Sequence, residues 1–197
     1  MEEMGHSNVK YLPLGFDSFN FKKLDKTFFT DGRISFNLCS KFEKRKGHIK
    51  VFQSWLKKYG NNPKYFLNCA LWNHFIPPEQ QKQIYAQILQ GQRYGNIQFL
   101  GFMPQNSLYN DYLNSSDIII GMSCGEGWGL PEFHSLGIGK HGVILNAHAY
   151  KEYANNDNSV LVNPNGKEPC YDGAFFHPNQ PFNQGNFFTW SEDDFID

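Results

Sequence analysis

Apolar residues recur along the chain in two alternating patterns. Ile34–Leu38, Lys64–Ala70, Asn96–Leu100 and Asp117–Gly121 are short apolar runs between turn-forming residues and read as strands. Between them the spacing changes to three and four. Ile49, Phe52, Trp55, Leu56 and Tyr59 mark one face of a helix, which Gly60-Asn61-Asn62-Pro63 ends. Pro77-Pro78 opens a second helix through Gln90, with Ile84, Tyr85 and Ile88 inward. Gln105–Asn114 and Leu130–Leu136 predict two more, and Val143–Asn146, His148–Ala154 and Ser159–Val162 complete the series. Strands alternating with helices predict an α/β fold: a Rossmann-like, doubly wound parallel sheet with helices on both faces. Ligands of such sheets bind outside the carboxyl ends of the strands.

The two ends of the chain read differently. Val9–Leu12 predicts an extended piece running into a turn at Pro13-Leu14-Gly15. After Val162 the composition shifts to Asn, Pro, Gly and Phe, and Asn163–Phe188 predicts a long irregular segment packed by its aromatics. Ser191 followed by Glu192, Asp193 and Asp194 is a good helix start, but Asp197 ends the chain barely two turns later. A helix that short needs more chain or a docking surface, and truncation is expected. The organisation expected is one domain over 1–197: a lead-in over 1–30, a core over 31–165 and an irregular tail with a cut helix over 166–197.

Composition narrows the class. With 40% hydrophobic and 19% charged residues in 197, the chain can build a core. Lys+Arg of 18 against Asp+Glu of 19 removes the electrostatic footprint of a nucleic-acid binder. No run approaches the roughly 20 apolar residues of a membrane helix, so no transmembrane segment is expected. The acidic start, Met1-Glu2-Glu3, is not a secretory signal. The expectation is a soluble, intracellular domain. Its four cysteines, scattered without zinc-like spacing, read as reduced thiols.

Three apparent motifs fail. Gly125-Glu126-Gly127-Trp128-Gly129 brings its third glycine one residue too early for a dinucleotide fingerprint. Gly139-Lys140-His141 lacks the Ser or Thr of a phosphate-binding Walker loop. His134, His141 and His148 are separated by helix-breaking glycines, so no metal site is expected.

Two segments carry chemistry. In Ser123–Glu132 a glycine-rich loop joins a strand to a helix whose first turn holds Pro131. Unpaired N–H groups at such a helix start, near Gly129 and Leu130, can take up a phosphate. Small residues at Gly125, Gly127 and Gly129 let a ligand approach the main chain, and Glu126 can accept from sugar hydroxyls. The plainer reading of the same residues is a tight turn with a solvated glutamate. The second segment, Lys41–Gly47, holds Lys41, Lys44, Arg45 and Lys46 at the carboxyl end of the first core strand. It reads either as a diphosphate grip or as a solvated loop.

Taken in order, several segments resemble the C-terminal, donor-binding half of a retaining GT-B-fold glycosyltransferase of the large group that includes sucrose and mannosyl transferases. Leu12–Asp17 with Phe19 resembles that family's interdomain link. Lys41 and Lys46, before Gly47, resemble its Arg-and-Lys pair that holds the donor diphosphate, with Lys where Arg is usual. Phe99–Met103 is similar to the strand and loop whose backbone meets the base. Leu108-Tyr109, Asp117 and Ser123 lead into Glu126-Gly127-Trp128-Gly129-Leu130-Pro131, and Gly142–Glu152 resembles the closing strand and helix. The family carries two glutamates with seven residues between them. Glu126 takes the first place, but the second falls on His134, whose imidazole can still bond a ribose hydroxyl.

The resemblance implies Glu126 and Lys46 as the catalytic pair. It implies Lys41, Arg45, Met103, Gly125, Gly127, Trp128, Gly129, Leu130 and His134 as donor contacts. It further implies a UDP-, GDP- or ADP-sugar as substrate, no metal or other cofactor, and an acceptor held by a missing N-terminal domain in cis or in trans. Trp128 is expected either to stack on the sugar or to pack under the loop, and His134 either to touch ribose or to pack on its helix. Alone, the chain is expected to be inactive in transfer. Its expected location is cytoplasmic, with any membrane contact made through the missing domain. The rival reading is a non-catalytic, degenerate module of the same fold, with Lys41 and His134 as its supporting features.

Overall fold

The computed structural model describes residues 8–25, 28–173 and 175–197; the acidic first residues lie outside these. The predicted alternation is present throughout the core. Strand β1 (Ile34–Lys41), helix α1 (His48–Lys58), β2 (Tyr65–Trp72), α2 (Pro78–Ile88), β3 (Ile97–Leu100), α3 (Asn106–Asn114), β4 (Ile118–Gly121), α4 (Leu130–Gly137), β5 (His141–Leu145) and β6 (Ser159–Val162) follow in order. The six strands form one sheet in the order β3-β2-β1-β4-β5-β6, and every neighbouring pair is parallel. The strand order reverses between β1 and β4, which opens a crevice at their carboxyl ends.

Both faces of the sheet are covered. Leu67, Cys69 and Leu71 of β2 join Val51, Phe52 and Trp55 of α1 in the larger core. Ala70, between them, joins Tyr112 and Leu113 of α3 with Phe21 and Ile138 in a second core. Adjacent strand residues point to opposite faces, so these cores lie on opposite sides of the sheet. This is why β1 and β2 are nearly continuously buried rather than alternating. Ile49, assigned to the inner face of α1 by spacing, is 51% exposed. Among the described residues no helix is long and apolar enough to cross a membrane.

The ends correct two expectations. The turn expected at Pro13-Leu14-Gly15 falls at Asp17–Asn20, where Asp17 Oδ1 accepts the N–H groups of Phe19 and Asn20 at 3.1 Å each. Asp17 is the residue that can close such a turn on itself. The segment expected to be irregular contains an antiparallel pair, β7 (Pro164–Pro169) and β8 (Asn186–Trp190). Its aromatics pack at the β8 end, through Phe187 and Phe188. Phe187 and Trp190 of β8 are buried, but Tyr171, Phe175 and Phe182, on the connection, are exposed. The last helix, α5 (Glu192–Ile196), does find a docking surface. Ser191 Oγ caps it by accepting from Asp194 N–H, and Phe195 packs into the core beside the Trp190 ring at 5.2 Å.

Candidate functional site

A cleft of about 800 Å3 lies at the carboxyl ends of β1, β2 and β3 and the start of α4. Of the residues singled out from sequence, Lys41, Arg45, Lys46, Met103, Glu126, Trp128, Gly129, Leu130 and His134 line it. Gly125 and Gly127 do not. Gly125 is tucked against Phe187 and the Arg45 stem, whereas Gly127 sits on the outside of the loop with open space around it. Their smallness therefore does not serve close approach from the cleft.

One wall is built by side chains. β1 ends at Lys41, a short 3-10 turn spans Lys44–Lys46, and Gly47, at φ +68°, starts α1. Lys46 Nζ is paired with Glu126 Oε2, and Arg45 Nη1 lies 3.4 Å from the same oxygen. Arg45 also donates to Gly125 O and pairs with Glu43, so it braces the two loops together. Lys41 Nζ is 3.2 Å from Glu43 Oε2 and lies over the Phe75 ring at 4.7 Å. Burial alone would raise the Glu126 carboxyl, but the Lys46 and Arg45 charges outweigh it and hold its pKa below the usual value.

The other wall is built by backbone. Gly129 caps α4 at φ +83° with no side-chain cap; Pro131 has no N–H and the Phe133 N–H bonds Gly129 O, so the Leu130 N–H is the first-turn donor left to face the cleft. Glycine is required there twice over. The left-handed conformation penalises a side chain, and a Cβ would meet the Tyr150 ring and come within 2.7 Å of Tyr153 Oη. Tyr153 Oη donates to the Trp128 and Gly129 carbonyls at 2.7 and 3.0 Å. Behind the loop His148, itself at φ +42°, puts Nε2 2.8 Å from Ser123 O. The Gly127 N–H donates to Glu126 Oε1 at 3.1 Å, so it is engaged within the loop. Trp128 lines the cleft, and its ring packs edge-on against Phe133 at 5.5 Å.

His134 is only 8% exposed and lies stacked on Phe21 at 4.0 Å between ring centroids. Burial lowers its pKa against the opposing pull of Asp17, which keeps the imidazole neutral near pH 7. Its contact with the cleft is thus through a ring clamped among aromatics.

Sequence reasoning gave no role to Glu132. It is 4% exposed in the first turn of α4, directly beneath the glycine loop. Tyr150 Oη donates to its Oε1 at 3.1 Å, and Oε2 has no partner among the described residues. Burial pushes its pKa up to about 7, against the opposing field of Lys46. Ser40 and His48, also unremarked in the sequence, meet at the end of β1.

No protein-family model and no curated protein matches the sequence. Solved structures do. The C-terminal domain of a group 1 family glycosyl transferase from Francisella tularensis matches 77% of the chain and 81% of its own, at TM-score 0.63 and 19% identity. Sucrose-phosphate synthase from Thermosynechococcus elongatus matches 78% of the chain at TM-score 0.64 and 14% identity, and HepE from Anabaena, solved with UDP and glucose, 77% at 0.61 and 17%. The match spans 39% and 42% of those two longer proteins. The fold is therefore the one expected, that of the C-terminal domain of GT-B glycosyltransferases.

Proposed function

We propose that the chain is the donor-binding domain of a glycosyltransferase, holding a UDP-, GDP- or ADP-sugar for transfer to an acceptor on an N-terminal domain supplied in cis or in trans. One observation carries the reading: Lys41 and Lys46 face the N-terminus of α4 across a single cleft at the switch point of the sheet. In glycosyl transfer the departing nucleoside diphosphate gathers negative charge. Preorganised cations and helix N–H groups stabilise such charge without rearranging. In this reading they also do the work a metal does elsewhere.

Glu126 gives the site its sequence of events. Its carboxylate pairs with Lys46. An incoming diphosphate competes for Lys46 and leaves Glu126, an acceptor-only group when ionised, to receive hydroxyls of the donor sugar. Trp128 and the α4 start orient that sugar. Retention then follows from acceptor attack on the leaving-group face, with no protein nucleophile. Support comes from the shared fold and from the UDP and glucose found in the similar HepE structure. Alone, the chain binds the donor and transfers nothing.

A non-catalytic module on the same fold is the second reading, and the burial of His134 against Phe21 favours it. Calorimetric titration with UDP, GDP and ADP and their glucose and mannose conjugates separates the two. Saturable binding of one nucleotide, weakened at least tenfold in Lys46→Ala, is expected. Binding that survives Lys46→Ala and Glu126→Ala unchanged, or transfer to an acceptor by the 197-residue chain alone, contradicts the proposal.

A further inference from the structure

One cleft-side pair has no part in the reading above. Ser40, the penultimate residue of β1, lines the cleft beside Lys41. Its Oγ lies 2.7 Å from Nε2 of His48, the first residue of α1. His48 is 3% exposed, and its ring lies parallel to Phe42, 5.6 Å between centroids and 9° between planes. Its Nδ1 has no partner among the described residues.

A serine hydrogen-bonded to a histidine in a cleft suggests a nucleophile and its base. The surroundings oppose that role. No carboxylate bonds Nδ1 to steady an imidazolium, and burial, with the Lys46 and Arg45 charges, lowers the ring pKa to about 3. The imidazole stays neutral and carries one N–H. On Nδ1 that N–H is a buried donor without a partner, the rarer and costlier kind of orphan. On Nε2 it donates to Ser40 Oγ, leaves only a lone pair unpartnered, and frees the serine proton to turn into the cleft.

Resting on the nucleotide-sugar reading, we propose that Ser40 donates its hydroxyl proton to a phosphate oxygen of the bound nucleoside diphosphate. His48 is the positioning residue that fixes the hydroxyl in that sense. The placement supports it: Ser40 is adjacent to Lys41 and shares the cleft wall with Lys46, so a phosphate between those cations meets the serine too.

The test titrates UDP, GDP and ADP into the wild type, Ser40→Ala, Ser40→Thr and Lys46→Ala, and records imidazole nitrogen resonances of His48. Loss of one hydrogen bond to a charged group weakens binding of the preferred nucleotide about tenfold in Ser40→Ala. Ser40→Thr, which keeps the hydroxyl, restores it. His48 gives the neutral Nε2–H pattern from about pH 5 to 8. A merely structural role for the pair moves neither the rescue nor the tautomer. Unchanged affinity in Ser40→Ala beside weakened affinity in Lys46→Ala overturns this proposal and leaves the nucleotide reading standing. An Nδ1–H tautomer overturns the positioning role of His48, and a wild type that binds none of the three nucleotides overturns both readings.

Discussion

Glu126 and Glu132 belong to one short segment, on the rim of the glycine loop and beneath it, and the protein treats their charges in opposite ways. Glu126 sits at the cleft with Lys46 on one carboxylate oxygen and Arg45 near, and its pKa lies below the usual value. Glu132 is sealed under Gly129 with a tyrosine on one oxygen and, among the described residues, no hydrogen-bond partner on the other, and its pKa rises to about 7. Both carboxyls are largely removed from water. Two things differ: Glu132 is the more deeply buried, and Glu126 has Lys46 in contact, Arg45 near and the Gly127 N–H, which together overcome its desolvation. A carboxylate at the first turn of α4 would compete with any anion for the helix N-terminus. With a pKa of about 7, Glu132 is partly protonated at neutral pH, which weakens that competition.

The largest expected effect breaks the partition between the two. Gly129→Ala forces a side chain into the left-handed region and into Tyr150 and Tyr153. Strain and overpacking together destabilise the fold by about 2–5 kcal/mol, read by chemical denaturation. An unchanged denaturation midpoint means that the loop rests on the tyrosines less tightly than the distances imply.

Next comes the buried acid. The Glu132 pKa is raised on folding, so its contribution is complete below the ordinary 4.5 and is lost as pH rises through about 7. Wild-type stability falls over that window by on the order of 1–3 kcal/mol from this group, and Glu132→Gln flattens the fall. A pH profile identical in the two proteins removes Glu132 as its source.

The rim pair gives the smallest change in stability and the opposite sign. The Glu126 pKa is lowered, so its contribution is present above about pH 4.5 and is lost as pH falls through the depressed value. Lys46→Met leaves the desolvation of Glu126 opposed by Arg45 and the Gly127 N–H. The fold loses about 1–2 kcal/mol at pH 7, and its acid limb moves to higher pH. Coincident acid limbs in wild type and Lys46→Met mean that Arg45 and the Gly127 N–H suffice.

What was legible in the sequence follows the same division between local and distant causes. The β and α alternation is written in neighbouring residues, and the core elements appear within a few residues of where spacing placed them. The cationic loop and the glycine loop were legible as types because their residues are contiguous, and the fold brought them together. The β7–β8 pair was not, since Pro164, Gly166 and Pro169 are poor strand residues and their pairing is set by Phe187 and Trp190 of β8. Partnerships across long stretches of chain were equally hidden. Lys46 with Glu126 and Phe21 with His134 are each decided by which strands lie side by side. The burial of Glu132 depends on Tyr150, contributed by the turn after β5. Spacing along α4 alone distinguishes Glu132 from a solvated first-turn acid in no way.

The central claim, that one anionic ligand is held between Lys46 and the glycine loop, is tested most directly by amide and side-chain NMR shifts on adding UDP, GDP and ADP in turn. The account predicts that one nucleotide shifts residues 41–47, 101–109 and 125–134 together, with the Glu126 carboxyl resonance moving as Lys46 changes partner. Shifts confined to residues outside those three segments, or a Glu126 resonance that stays fixed while the nucleotide binds, contradict it.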